Sequence, residues 1–107
     1  MSGKNVHNFT PENFDAEVLK SELPVLIEFT GTYCGPCKAL APIVEKVADE
    51  FQGKWKVGQI DVEVAPDLAV KCGVRNVPSL VVFRDGQKAK LHQGMMTKDK
   101  LVKFINS

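Results

Sequence analysis

The sequence predicts an α/β domain in which strands and helices alternate before a closing hairpin. Three observations carry that expectation. Val25-Leu26-Ile27-Glu28-Phe29 is apolar at every position but one, the mark of a strand covered on both faces. Helical and strand periods then take turns as far as Gly73. From Pro78 onward two strand-like runs are joined by Asp85-Gly86, a dipeptide suited to a tight antiparallel turn. The resulting order is β-α-β-α-β-α-β-β-α in one domain over residues 1–107, a length sufficient to bury a single core without staples.

Taken in order, Val6 ahead of Phe9 supports only a short edge strand. Thr10 as N-cap, Pro11 at the first helical position, Glu12 against the dipole and a Phe9–Phe14 staple start a helix expected to run to about Ser21. Pro24 closes the next turn, and the central strand follows. After it, Cys37, Leu40, Val44, Val47 and Phe51 repeat at helical spacing, with Lys38, Glu45, Lys46, Asp49 and Glu50 on the other side. Pro42 lies inside this longest helix and should bend it. Trp55 to Val62 alternates as a strand, and Ala65-Pro66-Asp67 opens a short helix that Gly73 can end. Ser79 to Phe83 forms the next strand, and Lys88 to Gln93 returns as a polar edge. Met96, Thr97, Asp99 and Leu101 repeat the cap-and-staple pattern and start a last helix with Leu101, Val102 and Ile105 inward.

Composition narrows the function. With 14 basic and 13 acidic residues and no long block of either sign, the chain lacks the footprint of a nucleic-acid or acidic-membrane binder. The opening Met1-Ser2-Gly3-Lys4-Asn5 has no apolar core of an export signal, and no segment approaches the roughly 20 apolar residues of a membrane span. A cytoplasmic protein is expected, in a compartment where a close cysteine pair is more often catalytic than structural.

That pair, Cys34-Gly35-Pro36-Cys37, sits where the central strand hands over to the longest helix. Unpaired N–H groups and the macrodipole at a helix start favour negative charge, so Cys34 should ionise below its free value. Cys37, three residues on, lies within reach to close a disulfide, and Pro36 fits a first turn whose N–H needs no partner. One sulfur can attack and the other resolve. A zinc site would need a second pair, and Cys72, His7 and His92 do not stand at ligand spacing. A structural bridge would close a very short loop to little effect. The redox dithiol is the reading that remains; no metal and no bound cofactor are expected.

With Pro42, Val77-Pro78, Asp85-Gly86 and Gly94 added to the dithiol turn, the chain resembles the thioredoxin family from its first strand to its last helix. The Gly35-Pro36 spacer looks like the reducing branch. The resemblance implies a five-stranded mixed sheet with helices on both faces and a cis bond at Val77-Pro78. It further implies a docking rim of Gly35, Pro36, Val77, Pro78, Gly94 and Met95, beside which an extended client segment can add by strand pairing. Glu28 stands where the family has a buried Asp behind the second cysteine. There it would carry a raised pKa and relay a proton to or from Cys37; otherwise it pairs with a cation or reaches solvent. Three further departures are Gln59 in place of a Lys near that acid, and Tyr33 and Thr30 in place of tryptophans. Tyr33 can still cover the lip of the site.

The activity implied is reduction of protein disulfides by exchange through Cys34 and Cys37. The partners implied are disulfide-containing clients, such as peroxide- or ribonucleotide-reducing enzymes, and a thioredoxin reductase, an NADPH flavoprotein or else a ferredoxin-linked enzyme. The chain is expected to act as a monomer. Rivals are an assembly subunit whose thiols are idle, and an oxidase or isomerase, which Gly35-Pro36 disfavours. Cys72, near the end of the short helix, reads as a small apolar residue; the alternative is a surface thiol open to oxidation. His7 and His92 are expected at the surface.

Overall fold

The computed structural model describes residues 4–107, so the opening Met1-Ser2-Gly3 lies outside it. Its strands are β1 (Val6–Asn8), β2 (Val25–Thr30), β3 (Lys56–Asp61), β4 (Ser79–Arg84) and β5 (Gln87–Gln93). They form one mixed sheet in the spatial order β1-β3-β2-β4-β5. The pairs β1·β3 and β2·β3 are parallel, and β2·β4 and β4·β5 are antiparallel. The run from Val25 to Phe29 is therefore the middle strand, bonded on both sides and buried throughout, as its composition requires.

Strand alternation divides the core in two. Val25, Ile27, Phe29, Ile60, Val81 and Phe83 point to the face carrying Phe14, Val18 and Leu68. Leu26, Val57, Leu80 and Val82 point to the other, against Leu40, Val44 and Val47 of α1 (Gly35–Glu50) and Leu101 and Ile105 of α3 (Lys98–Asn106). The short α2 (Pro66–Lys71) begins on its proline and is followed by Gly73 at φ +75°. Thr97 caps α3, its side chain accepting from the Lys100 N–H. Asp85 and Gly86 both take positive φ, as a two-residue turn between twisted strands needs.

Two expectations are corrected. The helix expected from Thr10 to Ser21 is only a π-helical segment at Asp15–Leu19, preceded by turns. Thr10 and Asn13 cap one another reciprocally, each backbone N–H donating to the other's side chain, and Lys20 N–H bonds back five residues to Asp15. Over so short a segment, apolar spacing does not distinguish four-residue from five-residue bonding, because Phe14 and Val18 reach the core in either. Glu45, assigned above to the solvated side of α1, is half-buried. It stands eight residues after Cys37, on the stripe that edges the core.

Candidate active site

The dithiol lies where the loop after β2 enters α1. Cys34 is the N-cap, with extended backbone (φ −129°, ψ 103°), and Pro36 occupies the first turn. In most helices a side-chain oxygen fills the capping role. Here the Cys34 Sγ accepts the Cys37 N–H at 3.1 Å, while the Cys34 carbonyl accepts from Lys38 N–H at 3.2 Å. The two cysteines are joined as a disulfide with Cα atoms 5.2 Å apart. Cys34 is half-buried at the surface and Cys37 is buried. On reduction, the same N–H and the helix dipole would favour the anionic form of the outer sulfur.

Glu28 lies on β2, two residues before the strand ends at Thr30. Alternation along β2 places it on the face of Leu26, under α1, and it is 2% exposed. Its Oε2 is buried without a hydrogen-bond partner. Burial, and secondarily the charge of Glu45, pushes its carboxyl from an ordinary 4.5 up to about 7. Glu28 takes part in neither of the two salt bridges found among the described residues, and its side chain is almost wholly withdrawn from solvent. In register across β3 stands Gln59, half-buried, which supplies no charge.

Sheet topology gathers the rest. Phe29 pairs with Ser79, so the segment before β4 lies beside the segment after β2. The Val77-Pro78 bond is cis. Gly94, just after β5, donates its N–H to the Pro78 carbonyl at 2.8 Å and holds φ +101°, a conformation few side chains tolerate. Gly35 and Pro36 are exposed, Val77 and Gly94 half-buried and Met95 44% exposed, whereas the Pro78 ring is buried. Tyr33 does not cover the lip: at 95% exposure its ring projects into solvent.

The remaining candidates fall away from the dithiol. Cys72 is 1% exposed, and burial pushes its thiol up, partly countered by Lys88 and Lys71. His7 is exposed, and His92 is half-buried edge-on to Phe104. No cluster of three or more His, Cys, Asp or Glu among the described residues is placed to hold a metal. Two carboxylates escaped the sequence reading. Glu45 was hidden by the polar labelling of its helix face. Glu63, just past β3, accepts the Thr32 N–H at 3.1 Å, and its signal was the parallel pairing that brings the ends of β2 and β3 together.

A cysteine pair that can open and close at a helix start, carried on the middle strand of a mixed sheet, defines a thiol–disulfide oxidoreductase. The family model described as Thioredoxin matches residues 5–107. Thioredoxin C-2 of Corynebacterium nephridii is 43% identical over 99 residues, covering 92% of each chain. A thioredoxin of Pseudomonas aeruginosa is 36% identical over 104 residues, covering 97% of this chain and 96% of its own. One of Rickettsia bellii is 35% identical over 100 residues, covering 94% and 95%. The chain belongs to the thioredoxin family. It reduces protein disulfides by dithiol–disulfide exchange through Cys34 and Cys37, and a separate reductase restores the dithiol.

Proposed function

We propose that Cys34 is the attacking sulfur, Cys37 the resolving one and Glu28 the group that handles the proton of Cys37. The Cys34 thiolate attacks one sulfur of a client disulfide; a mixed disulfide forms and the first client thiolate leaves, taking a proton from water. The Cys37 thiol then passes its proton to the Glu28 carboxylate, and the Cys37 thiolate attacks the Cys34 sulfur. The second client thiolate departs and is protonated from water as Glu28 gives its proton back to solvent, leaving client dithiol and an oxidised Cys34–Cys37 pair. Two electrons move and no external oxidant is needed.

The observation that carries this reading is the unequal setting of the two sulfurs: Cys34 caps the helix half-buried at the surface, and Cys37 is buried on the side of α1 that packs against the sheet face bearing Glu28, whose carboxyl is pushed up to about 7. Thioredoxins are themselves a standard instance of a thiol lowered at a helix start. Gly35, Pro36, Val77, Pro78, Gly94, Met95 and the outward Tyr33 form the client-docking rim in this reading. Because the Pro78 ring is buried, the backbone at Val77 is what meets an extended client. The electron donor is an NADPH-dependent flavoprotein thioredoxin reductase, and the chain works as a cytoplasmic monomer. No helix among the described residues is long and apolar enough to cross a membrane.

The test is an insulin-reduction assay with dithiothreitol, repeated with NADPH and a heterologous thioredoxin reductase. The wild type is expected to work in both formats. Exchange of both cysteines for serine should abolish turnover; persistence of biological activity in that double variant would favour the assembly-subunit reading instead.

A further inference from the structure

Three loops meet at Gly31. The segment leaving β2 carries Thr30, Gly31 and Thr32 toward the dithiol; the segment leaving β3 carries Asp61 to Glu63; the third ends at Val77. A β-carbon built on Gly31 would stand 3.4 Å from Val77 Cγ2 and 3.8 Å from Glu63 Oε2, ordinary contact distances that mark how closely the three segments approach. The Val62 N–H extends the sheet ladder one step by donating to the Thr30 carbonyl at 2.9 Å. Two residues further along β2's exit, the Glu63 Oε2 accepts the Thr32 N–H at 3.1 Å. Glu63 is itself fixed, because its N–H donates to Asp61 Oδ1 at 2.8 Å and the Val64 and Ala65 N–H groups fold back on the Asp61 carbonyl. The bond is therefore a strut from a braced turn to the chain two residues ahead of Cys34.

We propose that Glu63 is a positioning residue for the dithiol. Holding Thr32 N–H fixes the direction in which the chain enters the Cys34 N-cap, and with it the contact between Cys34 Sγ and the Cys37 N–H. Nothing bulky at Thr30 or Tyr33 braces this stretch, Tyr33 being almost wholly in solvent, so the carboxylate does that work from the neighbouring loop. The role belongs to the length and acceptor oxygen of the side chain. Its charge acts in the opposite sense, since a carboxylate near the turn disfavours a thiolate. This rests on the reading of Cys34 as the attacking thiol.

Those opposed signs make the test decisive. The variants are Glu63→Gln, which keeps reach and acceptor but not charge; Glu63→Asp, which keeps charge but is one methylene short; and Glu63→Ala, which keeps neither. The reduced full-length proteins are alkylated with iodoacetamide across pH 4–9, with the labelled cysteine identified by mass spectrometry. Positioning predicts that Asp and Ala raise the pH midpoint of Cys34 alkylation and slow it about three- to tenfold at acid pH, as loss of one exposed charge-assisted hydrogen bond would. Gln, which keeps the strut and sheds the opposing charge, should hold the wild-type midpoint or fall slightly below it, so that Gln and Ala move apart. If Gln and Ala both lower the midpoint, the charge is what matters and the proposal is overturned; if no variant moves it, the strut is idle and the proposal is equally overturned. Labelling of Cys37 ahead of Cys34 in the wild type would instead sink the assignment of the attacking sulfur. Because Glu63 is exposed, the variants are expected to unfold at nearly the wild-type urea midpoint, which keeps the comparison clean.

Discussion

Glu28 and Gln59 face one another in register across β2 and β3, and the acid's Oε2 is buried with no hydrogen bond to it. An ionised carboxylate in that place is costly, and the carboxyl answers by holding its proton up to about pH 7. Between its ordinary 4.5 and that value the folded protein binds a proton the unfolded chain has lost. Stability from this group therefore falls as pH rises through that window and is fully lost above it. The wild type should lose on the order of 3 kcal/mol between pH 4 and pH 8 on this account, and Glu28→Gln should not. Urea unfolding of both oxidised proteins at the two pH values checks this. Equal slopes would show that Glu28 ionises normally.

Charges placed beside the acid should move it predictably. Gln59→Lys puts a cation in register with Glu28 and is expected to lower its pKa. Glu45→Gln removes the lesser of the two causes of elevation and should lower it less. Carboxyl-carbon NMR titration reads both, and a rise in either variant contradicts the assignment of causes.

The three thiols should differ sharply. In reduced protein Cys34 is expected to alkylate first, Cys37 slowly, and Cys72 only once the chain unfolds, since it is packed among Phe14, Leu68 and Ala69 with its thiol pushed up. Cys37→Ser should stall the reaction at a client mixed disulfide. Recovery of label on Cys72 under native conditions would contradict its burial.

Tryptophan emission should be nearly blind to the redox state. Trp55 immediately precedes β3, whose first residue pairs with Val25, whereas the dithiol lies beyond Thr30 at the far end of the six-residue ladder, about 20 Å away. Its ring is buried beneath the Arg84 guanidinium, 5.1 Å from the ring centroid. A change of more than a few per cent in intensity on reduction would mean that the two ends of the sheet communicate.

Much of this architecture was legible because local chemistry and tertiary role coincide. Val25 to Phe29 could only be a central strand, Asp85-Gly86 could only turn tightly, and Thr97 announced α3. The dithiol was legible for the same reason, two cysteines at a strand-to-helix junction. What stayed hidden depends on neighbours distant in sequence. Glu28 was marked as odd, but that Oε2 has no partner is a fact about α1, β3 and β4 together. The Glu63 contact spans 31 residues, and no periodicity records it. The π-helical form of residues 15–19 was illegible because one turn of apolar spacing fits two hydrogen-bond registers.

The middle position of β2 has a consequence for repeated use. Its ladders to β3 and β4 run nearly to the point where the sulfurs begin, and both layers of packed side chains grip it. The reactive pair begins four residues past a strand that is paired on both sides and packed on both faces. Each charge and discharge of electrons asks for small rotations at two side chains, so the carrier can be emptied and refilled many times while the frame behind it stands still.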